Sequence, residues 1–477
     1  MYSFFIALAL LIVGYFVYGR IVEKVFSPDD RPTPVTLHSD GVESVAMPTW
    51  KMFIIQFLNI AGTGPIIGAI LGAAYGPAAF LWIVLGSIFG GAVHDYLSGM
   101  YSIRNNGEDL PNLIGRFLGK NTKGIMLVFL LVLLILVGAL FVYTPTDIIT
   151  KYFGNPSLFW ICAGIIIIYF LLAAVFPINT IIGKFYPVFS LLLAFMAIAV
   201  FVVLIGSHAS DMQEFWEPIG RGKQGGPLFP CLFVSLACGA ISGFHATQCP
   251  IVARCIKSER KGRQVFYGAM IAEGIIALIW AATAMVVMKS QPGAPIPVIV
   301  TICKKWLTPV SIIALLGVVI APITTGATAV RSARLIISDF FHLNQKQASK
   351  RLYLCLFLLS IVLALVALQK NDEKAFGVVW LWFGWANQAL SVFTLFAMTV
   401  ALYKEKKGYW ISLIPALFMT GVCAAFPMFG VPRTIDLIRH THGETPFSQL
   451  TIILVGVLAA MVALALFHSW KKKHPVK

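Results

Sequence analysis

Charge is what this sequence has least of. Only 12% of its 477 residues are Asp, Glu, Lys or Arg, against roughly 25% in soluble domains. With 58% apolar residues and a mean hydropathy of +0.85, this excludes a soluble enzyme or binding module and implies a polytopic membrane protein. CxxC pairs are also absent. The eight cysteines (162, 231, 238, 249, 255, 303, 355 and 423) lie in or beside apolar runs, which argues against a metal or disulfide framework and for small buried side chains. No HExxH helix and no GxSxG elbow occurs, which weighs against an intramembrane hydrolase. Acidic residues are fewer than basic ones, leaving a net charge of +16. Nucleic acid is one reading of such an excess, but the basic residues lie mostly between apolar runs.

Those runs number about thirteen when segmented at about 20 residues each. They cover approximately 2–25, 49–74, 77–103, 123–150, 158–176, 182–206, 229–256, 264–288, 309–338, 352–369, 375–403, 409–430 and 448–470. Placing the N-terminus outside and the C-terminus inside puts about 26 Lys/Arg on cytoplasmic segments and about 10 on external ones, as the positive-inside rule requires. The positive charge therefore reports topology: the expected partner is the lipid bilayer and not nucleic acid. The first run has no basic residue ahead of it and no small-residue cleavage site, so it reads as a retained helix.

Two of the runs are interrupted at their centres. FIIQFLNIAGTGPIIGAILGA (53–73) contains Gly62, Thr63, Gly64 and Pro65; LFVSLACGAISGFHATQCPIVARC (232–255) contains Gly239, Ala240, Ser242 and Gly243 ahead of Pro250. A break at mid-membrane releases backbone groups that cost several kcal/mol each if unpaired, so it is tolerable where they line a cavity and meet a ligand. Half-helix N-termini then present N–H groups and the positive dipole end to an anion such as a carboxylate. The alternative is a kink, or close helix packing through Gly68, Gly72 and Gly76. The interruptions lie five runs apart, so the units they open, 49–207 and 229–405, cross the membrane in opposite senses. This five-plus-five inverted repeat, with a helix (1–26) and a loop (27–48) before it and two helices (408–470) after, points to a secondary transporter. Connectors 104–122 and 293–309 occupy corresponding places in the two units. The first spaces Leu110, Leu113, Ile114, Phe117 and Leu118 as a short interfacial helix. Three prolines and a DG dipeptide predict no helix in 27–47.

Six stretches then carry a family resemblance: DDRPTPVTLHSDGVESV, QFLNIAGTGPIIG, GGAVHDYLSGMYSIRNNG, CGAISGFHATQ, RSARLIISDF and FGWANQALS. They follow in order from about residue 28 to 395. The chain resembles the carbon starvation protein A (CstA) family of membrane transporters, of the peptide/pyruvate type. The resemblance implies a multi-pass importer of the prokaryotic inner membrane used when carbon is short, and an all-α, LeuT-type fold. Where many members carry an acid in the TTGATAVR segment, this chain has Ala327.

Candidate site residues follow from depth and from the breaks. Gln56, Asn59, Gly62, Thr63 and Gly64 at the first break, and Gly239, Ser242, Gly243, His245, Thr247 and Gln248 at the second, flank freed backbone and are the substrate-binding candidates. Glu273 lies about 15 Å from the Arg263 end of its run, near the bilayer centre, where an ionisable residue is a functional candidate by default; it suits a proton carrier and is, with Asp95, an ion-coupling candidate. Asp95, nearer the cytoplasmic end of its run, lies at similar depth to Arg331; such a pair would serve as an inner gate or as a static link. Likeness to LeuT-type transporters implies a cation site at Thr324, Thr325 and Thr328, although threonines also bond back to their own helix. Asn387 and Gln388 read as amides that join helices. His245 and Cys249 have metal-compatible spacing but no further ligands in reach, so no metal site is assigned.

The function expected from residues and resemblance together is an ion-gradient-driven secondary transporter, not an enzyme. It would import short peptides, with pyruvate a close second, by alternating access, using no cofactor but a coupling H+ or Na+. The alternative is a starvation sensor with a transporter-like fold. The oligomeric state stays open.

Overall fold

The computed structural model describes every residue except 179, 181, 217–225, 291–293, 344–346, 372, 440–446 and 477. All regular structure among the described residues is helical. Among the described residues, eleven helices are long and apolar enough to cross a membrane: α1 (Tyr2–Phe26), α4 (Ala78–Arg104), α6 (Lys120–Phe153), α7 (Leu158–Val175), α8 (Ile182–Asp211), α12 (Glu259–Lys289), α14 (Ser311–Phe340), α15 (Ala348–Asn371), α16 (Phe376–Lys404), α17 (Trp410–Asp436) and α18 (Gln449–Lys473). The bent pair α2 (Thr49–Ile60) and α3 (Gly64–Ala73), at 55° to each other, makes a twelfth. The seventh expected run falls into three pieces, α9 (Leu228–Ser235), α10 (Ala237–Ala240) and α11 (His245–Ala253), none long enough to span alone.

Burial sorts these helices. The apolar stretch of α12 is 89% buried and those of α14 and α16 are 78% buried, whereas α1 is 28% and α18 only 17% buried. The last two are therefore the lipid-facing periphery, and α12, which carries Glu273, is the centre. Connectors 104–122 and 293–309 contain α5 (Leu110–Leu118) and α13 (Pro295–Thr301); residue 293 lies outside the described set. The Asp109 carboxylate caps α5 by accepting from the Asn112 N–H, while Leu110, Leu113 and Ile114 pack inward. Loop 27–47 departs from expectation by one turn of helix, Pro34–Leu37. Pro34 opens that turn, where its fixed φ helps and its missing N–H costs nothing.

The two interrupted helices cross at their breaks. A Cβ on Gly64 would collide with the Cys238 side chain, one on Gly68 would lie 2.8 Å from the Ser235 carbonyl oxygen, and one on Gly239 would lie 2.7 Å from Ala277. Small residues are thus required for close approach, as at the α17–α18 crossing, where Gly421 meets Gly456. Gly243 is hemmed in by the backbone of α16, where a Cβ would strike the Asn387 carbonyl oxygen and the Ser391 nitrogen. Gly243→Ala should lower stability by about 1–3 kcal/mol, whereas Gly124→Ala on α6, with nothing within 4 Å, should leave Tm unchanged or raised. Thermal unfolding of the two variants in detergent tests this, and equal Tm values would contradict the close approach of Gly243 to α16.

Candidate functional site

At the second break the backbone does not wait for a ligand. The Asn387 side-chain oxygen accepts from the Phe244 N–H at 2.7 Å and from the Ser242 hydroxyl at 3.1 Å, and the Asn387 backbone carbonyl accepts from the Gly243 N–H at 3.1 Å. Asn387, expected to join helices, thus caps the break from α16. This corrects the expectation that Ser242 and Gly243 hold free groups for substrate: their donors are already engaged. The Ser87 hydroxyl donates to the Gly239 carbonyl at 3.1 Å. Gln388 donates to the Phe233 carbonyl at 3.2 Å.

The first break is different. Gln56 Oε1, both amide atoms of Asn59, and Thr63 Oγ1 are buried without a hydrogen-bond partner, as is Gln248 Oε1 across on α11. Gln56 Nε2 reaches only the Cys249 sulfur, at 3.6 Å. Buried polar atoms left unpaired cost about 1–3 kcal/mol each, so this cluster is poised for a polar ligand. Gly62 packs on α14, where a Cβ would lie 2.8 Å from Thr325 Oγ1. The hydroxyls of Thr324 and Thr325 donate to the Leu58 carbonyl at 3.3 and 2.9 Å, and that of Thr328 donates to the Thr325 carbonyl at 3.0 Å. Ala327 faces the apolar cluster of Ala139, Val142 and Phe170.

Between the breaks lies a cluster of titratable groups. Asp95 on α4 lies 2.8 Å from His94 Nδ1 through one oxygen and 3.0 Å from His245 Nδ1 through the other. The opposite nitrogen of His245, Nε2, lies 3.5 Å from Glu273 Oε2 on α12. That approach lacks hydrogen-bond alignment, so neither Glu273 oxygen has a hydrogen-bond partner. All four side chains are fully buried.

The expected Asp95–Arg331 pair does not form. Arg331 instead donates to Glu43 at 2.7 Å, to the Phe176 carbonyl at 2.6 Å and to the Ala173 carbonyl, and Arg334 pairs with the other Glu43 oxygen. Glu43 is presented by a turn in which Asp40 Oδ1 collects the N–H groups of Val42, Glu43 and Ser44. The turn is sewn down by Ile178 N–H to the Val42 carbonyl at 3.0 Å and by the Ser44 hydroxyl to the Arg254 carbonyl at 2.8 Å. At its other end the same loop is held by Glu259, which takes Arg104 at 2.5 Å and Arg31 at 3.6 Å. Composition reads residues 27–47 as a solvated connector, which hides Glu43. The available signal was its place in a stretch that carries the family resemblance.

Behind this clamp, a cavity of about 360 Å³ lined by His38, Glu43, Arg254 and Asp339 opens on the loop face. A separate small cavity of about 10 Å³, room for about one water, lies between Thr247, Ser332 and Leu335.

Three comparisons bear on this arrangement. The family model described as "Carbon starvation protein CstA" matches residues 1–156, 146–322 and 298–425. The chain belongs to this family. An "Uncharacterized membrane protein" of Haemophilus influenzae is 41% identical over 333 residues, 59% of this chain and 90% of that one. "Peptide transporter CstA" of Campylobacter jejuni is 29% identical over 57% of this chain and 48% of its own. "Pyruvate/proton symporter BtsT" of Escherichia coli is 25% identical over 60% and 49%. The chain thus spans about half the length of those two transporters. Among solved structures, a mutant manganese transporter of Eremococcus coleocola superposes with a TM-score of 0.58 at 13% identity, covering 90% of this chain and 97% of that one. MhsT in complex with L-phenylalanine gives 0.57 at 12% identity, covering 88% and 99%. The fold of this CstA-family protein is the LeuT type.

The Glu43 clamp has a pH signature. Burial alone would raise its carboxyl, but the Arg331 and Arg334 guanidiniums hold it down at about 2, below the ordinary 4.5. A depressed carboxyl contributes stability that is complete above the unfolded value and lost as pH falls through the folded one. Tm should therefore decline on acidification from about pH 4.5 toward about pH 2. Glu43→Gln should make this decline shallower, leaving the share of Glu214, Asp29 and Asp30, whose carboxyls are also held down, and cost about 3–5 kcal/mol at neutral pH, because it leaves two buried guanidiniums short of their partner. Parallel pH profiles for the two proteins would show that Glu43 is not the clamp.

Proposed function

We propose that this protein is an ion-gradient-driven secondary transporter of the prokaryotic inner membrane that imports a small carboxylate-bearing nutrient by alternating access. The observation that carries the reading is the set of unpartnered polar side chains, Gln56, Asn59, Thr63, Gln248 and Glu273, flanking two crossed helix breaks. Such a site gains most from a polar cargo that satisfies it. Short peptides rank first and pyruvate a close second. Relatives named for each class support both, and the Glu273 carboxyl, which has no hydrogen-bond partner, suits the ammonium group that only a peptide brings.

The basic face that carries loop 27–47 is the cytoplasmic one, with the N-terminus outside and the C-terminus inside. The Glu43–Arg331–Arg334 clamp then takes the place of the expected Asp95–Arg331 gate. It fastens the segment six residues ahead of α2 to α14, and its release would let the first half-helix swing and open a route past Thr247.

Proteoliposomes given labelled alanyl-alanine or labelled pyruvate, with a proton gradient, a sodium gradient or neither, should accumulate one cargo under one gradient. Binding of either cargo without accumulation under any gradient would overturn the transport reading.

A further inference from the structure

We propose that His245 carries the coupling proton across the centre of the protein, relaying it between Glu273 and Asp95. The proposal rests on the transport reading, with the proton that one relative is named for as its ion, and adds the carrier. Three helices meet at this imidazole, and each of its nitrogens faces a different buried carboxyl: Nδ1 lies 3.0 Å from Asp95 and Nε2 lies 3.5 Å from Glu273. An imidazole so placed joins two carboxyl groups that do not touch each other.

The surroundings leave the charge of this trio to protons. Among the described residues, no lysine or arginine is ion-paired with Asp95 or Glu273. The other titratable groups facing it are His94 on Asp95, Cys249, whose sulfur meets the Asp95 carbonyl at 3.5 Å, and Cys238 beside Glu273. From α14, Arg331 and Arg334 are engaged by Glu43. Two carboxylates and a neutral imidazole would hold two negative charges in a dry interior, a costly state that bound protons relieve. The sodium alternative is less well served. The Thr325 hydroxyl gives its proton to the Leu58 carbonyl at 2.9 Å, the oxygen a sodium ion would use, and the Thr324 hydroxyl lies closer to the Ala321 carbonyl of its own helix, at 2.8 Å.

The step balances without any other reactant. Neutral His245 carries its proton on Nδ1, donated toward Asp95, and turns the Nε2 lone pair to Glu273. A proton entering from the external face protonates Glu273. The Glu273 O–H bond then breaks as an N–H bond forms at Nε2, and the resulting imidazolium releases its Nδ1 proton to Asp95, forming a new O–H bond. Asp95 lies nine residues from the Arg104 end of α4, about 13 Å from the cytoplasmic face, and Glu273 lies deeper. The proton thus moves inward. His245 opens α11 directly after the second break, so a tilt of that half-helix alters the misaligned 3.5 Å step to Glu273. This ties proton transfer to the conformational change.

The test compares wild type, His245→Gln, Glu273→Gln and Asp95→Asn in proteoliposomes, using labelled alanyl-alanine and pyruvate in two assays. Exchange at equal pH on both sides reports the transport cycle, and accumulation under an imposed pH gradient reports coupling. With about one pH unit, a one-to-one proton symporter accumulates its cargo about tenfold. Wild type should reach this ratio, while His245→Gln and Asp95→Asn should still exchange cargo, more slowly, yet accumulate none; Glu273→Gln should do so for pyruvate, which brings no ammonium to that carboxyl; and the pH dependence of exchange should flatten in His245→Gln. Where Asp95→Asn fails to fold, the other two variants carry the test. As a readout independent of cargo, infrared titration should show a protonated carboxyl band in wild type that Glu273→Gln lacks. Full accumulation by His245→Gln and Glu273→Gln, or accumulation driven by sodium alone, would overturn the relay and leave the transport reading standing. Absence of exchange in wild type would remove both.

Discussion

Backbone groups released at the middle of a bilayer have no water to fall back on, so a helix that breaks there must be completed by the protein around it or by cargo. Here two helices break at the point where they cross, and the crossing is possible because Gly64 and Gly68 carry no side chain, while Gly239 lets the second break lie against Ala277 of α12. The consequences spread outward. Asn387 must reach in from α16 to cap the second break, Thr324 and Thr325 must meet the Leu58 carbonyl from α14, and Ser87 must serve Gly239 from α4.

The two breaks are satisfied unequally, and the inequality has a functional sense. The second is closed by Asn387, which engages the Ser242, Gly243 and Phe244 donors. The first leaves Gln56, Asn59 and Thr63 unpaired, a debt that a bound molecule would settle. Between them, the Asp95–His245–Glu273 row places titratable groups on three different helices, so that a change in charge acts on their relative positions. The clamp at Glu43 is the electrostatic counterpart at one face. One carboxylate answers two buried guanidiniums and ties a loop to α14 and the end of α7. A buried ion pair of this kind contributes less to net stability than to fixing one arrangement over another, since desolvation consumes most of its attraction.

Much of this was legible in the amino-acid order alone. Hydropathy marks the long helices because each must hide its backbone in about 20 apolar residues, although the seventh run folds as three short pieces. Gly62–Pro65 and Gly239–Gly243 declare the breaks, since those residues weaken a helix wherever they stand. Glu273 is conspicuous because an acid amid an apolar run has no solvated reading.

Partner choice was decided by tertiary structure. Asp95 and Arg331 lie at similar depth, yet depth along the membrane normal says nothing about azimuth. Packing turns Asp95 toward α11 and Arg331 toward the loop that carries Glu43. The imidazole of His245 reads in sequence as one more polar group after a break, and only the meeting of α4, α11 and α12 gives its two nitrogens two different carboxyls. Helix content and depth are properties of local composition, written residue by residue. Which side chains face each other depends on how the helices are rotated and crossed, and that is set by the whole packed core at once.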